Sequence, residues 1–294
     1  MLCIGIGGGG DVVGALGVAG AARAAGLSAR VGGVTWERRP IDPIPGPRRL
    51  AEIEHAEPLD GSVALAGPDT SGPGGFRFAE AHMARVLGEP TVLVDPNDGP
   101  RAVARGLDAA AAALECDLVA LVDVGGDVLG HGDEPGLASP LCDAVLLAAA
   151  VHMRTPAVGA VFGVGCDGEL TTEEVLARVA EVAAAGGLLG AWGLTPADAD
   201  RLEAAVAEVP TEASAQAVRC ARGATGRAEI RGGRRTVPLS PVGALTFFFE
   251  PRAAIGSAAR LAAAVVDCMS LAEADALLAA RGIRTELAYE REAA

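Results

Sequence analysis

Residues 2–26 read LCIGIGGGGDVVGALGVAGAARAAG. The run 2–6 is apolar without alternation, as expected of a strand buried on both faces, which is the habit of parallel sheets. Four glycines at 7–10 make a turn. Residues 12–26 then read as a helix of small residues that stops at Gly26. SARVGGVTW at 28–36 reads as the next strand. Two parallel strands need a crossover between them, so this β-loop-α-β unit starts an α/β fold.

The alternation continues outward. Strands are expected at 62–68, 91–96, 118–124 and 157–165, and helices at 78–88, 99–115, 139–153 and 171–187. Ser139 with Pro140 caps the third of these helices and Thr171 or Thr172 the fourth. PIDPIPGPRR at 40–49 is too rich in proline for regular structure. The last third reads as helices at 196–208 and 211–222, then strands GRAEIRGG and RRTVPLS around a turn at Gly232-Gly233. A strand at 243–251, a long helix over 253–281 broken near Ser270, and an edge strand at 284–290 complete it. The expected architecture is a Rossmann-like, open, mostly parallel, doubly wound sheet of six or more strands with helices on both faces. The strand at 2–6 lies near its centre. One α/β domain spans 1–294, with a core at 1–195 and a helical and mixed extension at 196–294.

Composition narrows the function. Half of the 294 residues are hydrophobic, enough for a sizeable core. No apolar run reaches the roughly 18 to 20 residues of a membrane span. MLCIGIGGGGD has neither the basic flank nor the cleavage site of a signal peptide, so a soluble cytoplasmic protein without a membrane partner is expected. A net charge of −14 argues against nucleic acid. The six cysteines form no CxxC pair and read as buried small hydrophobes. The chain contains no lysine. A Walker A phosphate loop and a pyridoxal phosphate Schiff base are therefore both closed.

In open α/β sheets, ligands bind beyond the carboxyl ends of the strands. Those ends are rich in carboxylates here: Asp11, Glu37, Asp95, Asp123, Asp127, Asp167 and Glu169. Carboxylates from at least three of these segments are expected to share one cleft. Gly5 to Gly10 satisfies GxGxxG, and backbone amides at Gly7, Gly8, Gly9 and Gly10 suit an anion. Glu37 falls where a dinucleotide fold places its ribose-binding acid. Arg38 and Arg48, in or beside the proline-rich loop, suit a carboxylate or phosphate. Gly125 and Gly126 turn the chain sharply between Asp123 and Asp127. These two acids are the candidate metal ligands, because oxygen-only sets suit Mg²⁺ or Mn²⁺. Asp143 follows in the next helix. His131 is the histidine of this polar loop and the candidate proton carrier. Cys166, beside Asp167 and Glu169, is expected to be a buried structural thiol of raised pKa. Asp123, Asp127, Glu37 and His131 form the candidate catalytic set.

Two resemblances follow from these motifs. GGGGDVVGA, WER with DPIPGPR, DVGGD with the following SPL and DA, and CDGEL occur in the order that resembles the prokaryotic family known as domain of unknown function 1152. That resemblance, over most of 1–195, implies the fold and a site at these segments. Gly125 to Gly132 is similar to the Gly-Gly-Asn-Glu-Ile-Gly-Met-Gly loop of D-glutamate cyclases, manganese-associated lyases that close an amino acid into a lactam. Asp127 takes the Asn position, and the neighbouring acidic positions fall on Val124 and Val128.

The leading expectation is an enzyme of lyase, cyclising or hydrolytic type. Its small-molecule substrate is polar, anionic or derived from an amino acid or nucleotide. The alternatives are a non-catalytic nucleotide- or metabolite-binding protein and an NAD(P)-linked oxidoreductase. A homo-oligomer is compatible with each.

Overall fold

Leu2 to Gly5 are fully buried, and they form the fifth of nine strands in one sheet. The computed structural model describes residues 1–293. In chain order the strands and helices are β1 (Leu2–Gly5), α1 (Asp11–Ala24), β2 (Arg30–Val34), β3 (Glu54–Asp60), β4 (Val63–Ser71), α2 (Ala79–Leu87), β5 (Thr91–Val94), α3 (Gly99–Ala113), β6 (Val119–Val124), α4 (Pro140–Ala149) and β7 (Ala157–Phe162). There follow α5 (Thr172–Ala184), β8 (Leu188–Gly193), α6 (Pro196–Glu208), α7 (Ala213–Ala221), β9 (Gly226–Ile230), β10 (Arg235–Leu239), β11 (Leu245–Phe249), α8 (Pro251–Ile255), α9 (Arg260–Val265), α10 (Leu271–Ala280) and α11 (Glu286–Glu292).

The sheet order is β3-β4-β5-β2-β1-β6-β7-β11-β8, and the five central strands, β5 to β7, are all parallel. Only β4 and β11 run against the rest. The chain winds outward from β1 through β2, then returns to lay β6 on the other side of β1. That reversal opens a crevice beyond the carboxyl ends of β1 and β6, the usual ligand position in this architecture. One face of the sheet is covered by α1, α2, α6, α7 and the β9–β10 hairpin. The other is covered by α3, α4, α5 and α8 to α10. No helix among the described residues is long and apolar enough to cross a membrane.

The differences from expectation lie at the edges and in the last third. β3 and β8 carry no apolar alternation. β3 is an exposed edge with three acids and Pro58, the composition of a strand guarded against further pairing. The span 253–281 is three helices. Ser257 Oγ donates to the Ala253 carbonyl at 2.6 Å, and Ala259 leaves helical geometry with ψ of 64°. Ser270 then starts α10 by accepting the Glu273 amide. The expected edge strand at 284–290 is replaced by the helix α11, Glu286–Glu292. Thr285 accepts the Ala288 amide as its cap, and Glu286 and Glu290 fall four apart on one helical face.

The small residues of α1 are explained by what they touch. A Cβ on Gly14 would lie 2.4 Å from Val124 Cγ2, and one on Gly17 would lie 2.5 Å from Phe162 Cε2. α1 therefore rides close on the sheet, which holds its first turn over the crevice. Gly17→Ala should destabilise the protein by about 1–3 kcal/mol through overpacking, although Ala is the better helix former by about 1 kcal/mol. A urea melt checks this, and a stabilised variant would contradict the close approach.

Candidate functional site

The carboxyl ends of β1, β2, β6 and β7 surround a cleft of about 560 Å³. It is lined by Asp11, Glu37, Asp123, Asp127, Asp143, Asp167 and Glu169, so four of the five expected acidic segments do share one cleft. Asp11 is the first residue of α1, and its Oδ2 accepts the Gly7 amide at 3.0 Å. Asp123 follows Val119 and Leu121 on the face of β6 that packs toward α4, where Asp143 waits in the first turn. Gly125 and Gly126 then take φ of +123° and +125°, which an L side chain rarely adopts. A Cβ on Gly125 would come within 2.1 Å of Asp167 Oδ1, so glycine lets Asp167 lie against this loop. Asp127 starts the short 3₁₀ turn that follows.

The acids form two adjoining groups. Asp11, Asp123 and Asp143 each bring an oxygen within 4.8 Å of the others, and so do Asp127, Asp167 and Glu169. Asp123 and Asp143 are 1% exposed, Asp127 5% and Asp167 4%. Burial, reinforced by the charge of neighbouring carboxylates of the cleft, raises Asp123, Asp127 and Asp143 well above the ordinary carboxylate range. Burial raises Asp11 to about 7, and burial with neighbouring Glu169 raises Asp167 to about 8. Three buried oxygens of the cleft, Asp127 Oδ2, Asp143 Oδ1 and Asp167 Oδ1, have no hydrogen-bond partner among the described residues. A native fold rarely leaves such atoms bare.

Glu169 is different because its oxygens are already engaged. They accept the Ala138 amide at 2.7 Å, the Ser139 amide at 2.8 Å and the Ser139 hydroxyl at 2.5 Å. Glu169 thus pins the turn before α4. Ser139 stands at the N-cap position of α4, but its side chain makes no cap bond there. That work falls to Glu286 of α11, which accepts the Leu141 and Cys142 amides, both at 2.9 Å. Glu286 also pairs with Arg38 at 3.4 Å. Arg38 lines the cleft, yet its guanidinium stacks over Trp36 and donates to the Gly7 carbonyl at 2.6 Å. Glu290 completes the brace by accepting from Trp36 Nε1 at 3.1 Å and the Gly46 amide at 2.8 Å, with Arg38 at 3.4 Å.

Other expected site residues stand elsewhere. Arg48 is buried within the proline-rich loop, paired with Asp42 at 3.0 Å and donating to the carbonyls of Ile44, Pro45 and Gly46. Asp95 accepts the Leu50 and Asn97 amides and shapes a turn outside the cleft. His131 points to Glu181 at 3.0 Å and does not line the cleft. Gly125 and Gly126 shape the loop from behind. Glu37 does line the cleft, with its carboxylate turned to the Ala79 amide at the start of α2. Gly7 to Gly10 also line it, but Thr211 packs so closely that a Cβ on Gly10 would lie 2.2 Å from Thr211 Cβ. The loop therefore offers no open pyrophosphate seat at Gly10. Cys166 is buried, its thiol raised chiefly by a hydrogen bond with Cys220 and then by burial.

Three contributors were missed among the candidates: Asp143, Glu286, and the arginines at the tip of the β9–β10 hairpin. Only Asp143 had a signal, its place in the first turn after SPL. Glu286 came from a segment read as a strand.

Two outcomes follow. Without divalent metal, stability should fall as pH rises from about 5 to 8, because Asp11, Glu37 and Asp167 hold protons in the fold that the unfolded chain has already released. Asp108 and Glu134, with lowered values, act only at more acidic pH. Thermal melts across this window in EDTA check the sign, and a rise in stability would contradict it. Glu286→Ala should cost about 1–3 kcal/mol, since it strands two buried amides. Chemical denaturation measures that loss, and an unchanged midpoint would deny Glu286 its role.

A family model described as protein of unknown function (DUF1152) matches residues 2–294. No curated protein and no solved structure gives a match. Because the family match extends through α11, it takes in the C-terminal carboxylates that brace the site as well as the strand-end acids, and the chain belongs to the DUF1152 family.

Proposed function

We propose that this chain is a divalent-cation-dependent enzyme acting on a small anionic metabolite, by hydrolytic or by lyase and cyclising chemistry. The observation that carries the reading is the set of three orphaned, buried carboxylate oxygens, on Asp127, Asp143 and Asp167, facing one cleft. Burying like charges without a counter-charge is costly. A hard cation among all-oxygen ligands relieves that cost, and Mg²⁺ or Mn²⁺ suits such a set. Asp11 and Asp123 would complete the ligand set with Asp143, while Asp167 joins Asp127 on the other side. A cation there supplies a polarised substrate oxygen or an activated water. A neighbouring carboxylate not bound to the cation would accept or return the proton.

A second reading has its own support. Asp123 and Asp127 are buried on either side of the Gly125–Gly126 turn, and burial with neighbouring negative charge pushes both well above the ordinary carboxylate range, which favours a proton on one of them. The same cleft then works as a metal-free acid–base site, with paired carboxyls dividing the roles.

Calorimetric titration of the metal-free chain with Mn²⁺ and Mg²⁺ separates the two. The proposal expects saturable binding that weakens at least tenfold, about 1.4 kcal/mol, in Asp127→Asn and Asp143→Asn. Both variants should melt no lower than the wild type without metal, because each replaces a carboxyl whose ionisation the buried site opposes and keeps its shape. Absence of metal binding in the folded chain would overturn the proposal in favour of the proton-sharing reading. A metabolite mixture incubated with wild type and Asp143→Asn, with and without Mg²⁺, tests catalysis: one anionic component should be consumed only by the wild type with metal.

A further inference from the structure

The floor of the cleft is acidic, whereas its rim carries arginines, Arg231 and Arg234, beside Glu212. The β9–β10 hairpin leans over the acids with its turn, Arg231 to Arg234, at the cleft mouth. The hairpin is firmly seated. Ala228, Ile230, Val237 and Leu239 are buried in the core on the α1 and α7 face. Its tip is fixed as well. The Arg231 amide donates to Glu212 at 2.8 Å, Arg231 takes φ of +56°, and Arg234 Nε donates to the Arg231 carbonyl at 2.9 Å.

Neither Arg231 nor Arg234 forms an ion pair among the described residues, although Arg235 beside them reaches Glu169 at 3.6 Å. Arg231 is near enough for its charge to favour the ionised forms of Asp11 and Asp167. A chain of net charge −14 thus holds two guanidinium groups without ion-pair partners among the described residues in the lining of a cleft that also holds its buried aspartates.

We infer that the cleft binds a phosphoryl group as its cation complex, with the aspartates holding the cation and Arg231 and Arg234 holding the phosphoryl oxygens. The inference rests on the proposed cation site and names the substrate class, a phosphorylated small molecule. The count of acceptor oxygens separates phosphate from carboxylate. A terminal phosphoryl group offers three oxygens, so it can meet one cation and two guanidinium groups together. A carboxylate offers two, so two of the three partners would have to share one oxygen. Mg²⁺ is commonly held by a few protein carboxylates together with substrate phosphate, because it gives up its water reluctantly. A cleft of about 560 Å³ accommodates a small metabolite.

The test is calorimetric titration of inorganic phosphate, and separately of malonate, into the full chain, with saturating Mg²⁺ and in EDTA. A titration with Mg²⁺ alone comes first, and its failure would remove the cation site itself. Given Mg²⁺ binding, phosphate should bind at least tenfold tighter with Mg²⁺ than in EDTA, and by linkage phosphate should tighten Mg²⁺ equally. That enhancement should fall below about threefold in Arg231→Ala/Arg234→Ala. It should persist in Arg227→Ala, a same-charge change on β9 that does not line the cleft. Mg²⁺ binding with no phosphate enhancement, an enhancement that survives loss of both arginines, or a stronger effect with malonate would each overturn the phosphoryl assignment while leaving the cation site standing.

Discussion

Like-charge repulsion inside one crevice is the constraint that the rest of this structure answers. Asp11, Asp123 and Asp143 have oxygens within 4.8 Å of one another, and Asp127 and Asp167 adjoin them. Two ionised carboxylates at about 5 Å repel by roughly 3 kcal/mol at the effective dielectric near 20 that suits protein sites. Several such pairs would push the strand ends apart unless protons, cations or rigid anchors opposed them. Burial and neighbouring negative charge raise Asp123, Asp127 and Asp143, which favours their protonated forms. The anchors are the parallel ladders of β1, β6 and β7, the close seat of α1 on the sheet, and the engaged carboxylate of Glu169.

The C-terminal helix belongs to the same system of anchors. Glu286 caps α4, the helix that presents Asp143, and Glu286 and Glu290 together hold Arg38 against the Gly7 carbonyl. Residues far apart in sequence thus set the first turn of α4 and the glycine loop in register. The hairpin, also from the last third, closes the crevice from the opposite side. The site is a product of the whole chain rather than of the alternating units of its first two thirds.

The strand-to-carboxylate pattern was legible because it is local. A buried strand followed by glycines and an acid appears after β1 and β6, and a small residue turn with acids appears after β7. Doubly wound topology then brings those ends together. What sequence could not show was which carboxylates remain free. Glu169 and Asp167 are two residues apart with similar surroundings in sequence, yet one is saturated by the 138–139 turn and the other has a bare oxygen. Arg48 and Arg38 likewise look alike as loop arginines, but each is taken up by carbonyls or acids of its own neighbourhood. His131 is drawn away by Glu181 and Asp95 by turn amides. The α11 segment differs from the expected strand because a short stretch with three apolar residues fits a strand and a helix alike, and only the cap at Thr285 decides between them.

The central claim is that these aspartates converge to hold a cation. Anomalous scattering from a crystal of the full chain grown with Mn²⁺ tests it most directly. The account predicts an anomalous peak in the crevice, coordinated at the roughly 2.0–2.4 Å usual for small hard cations by Asp143 with Asp11 or Asp123, or by Asp127 with Asp167. Ordered density for these side chains with no peak among them, or a peak only at exposed surface acids, would contradict it.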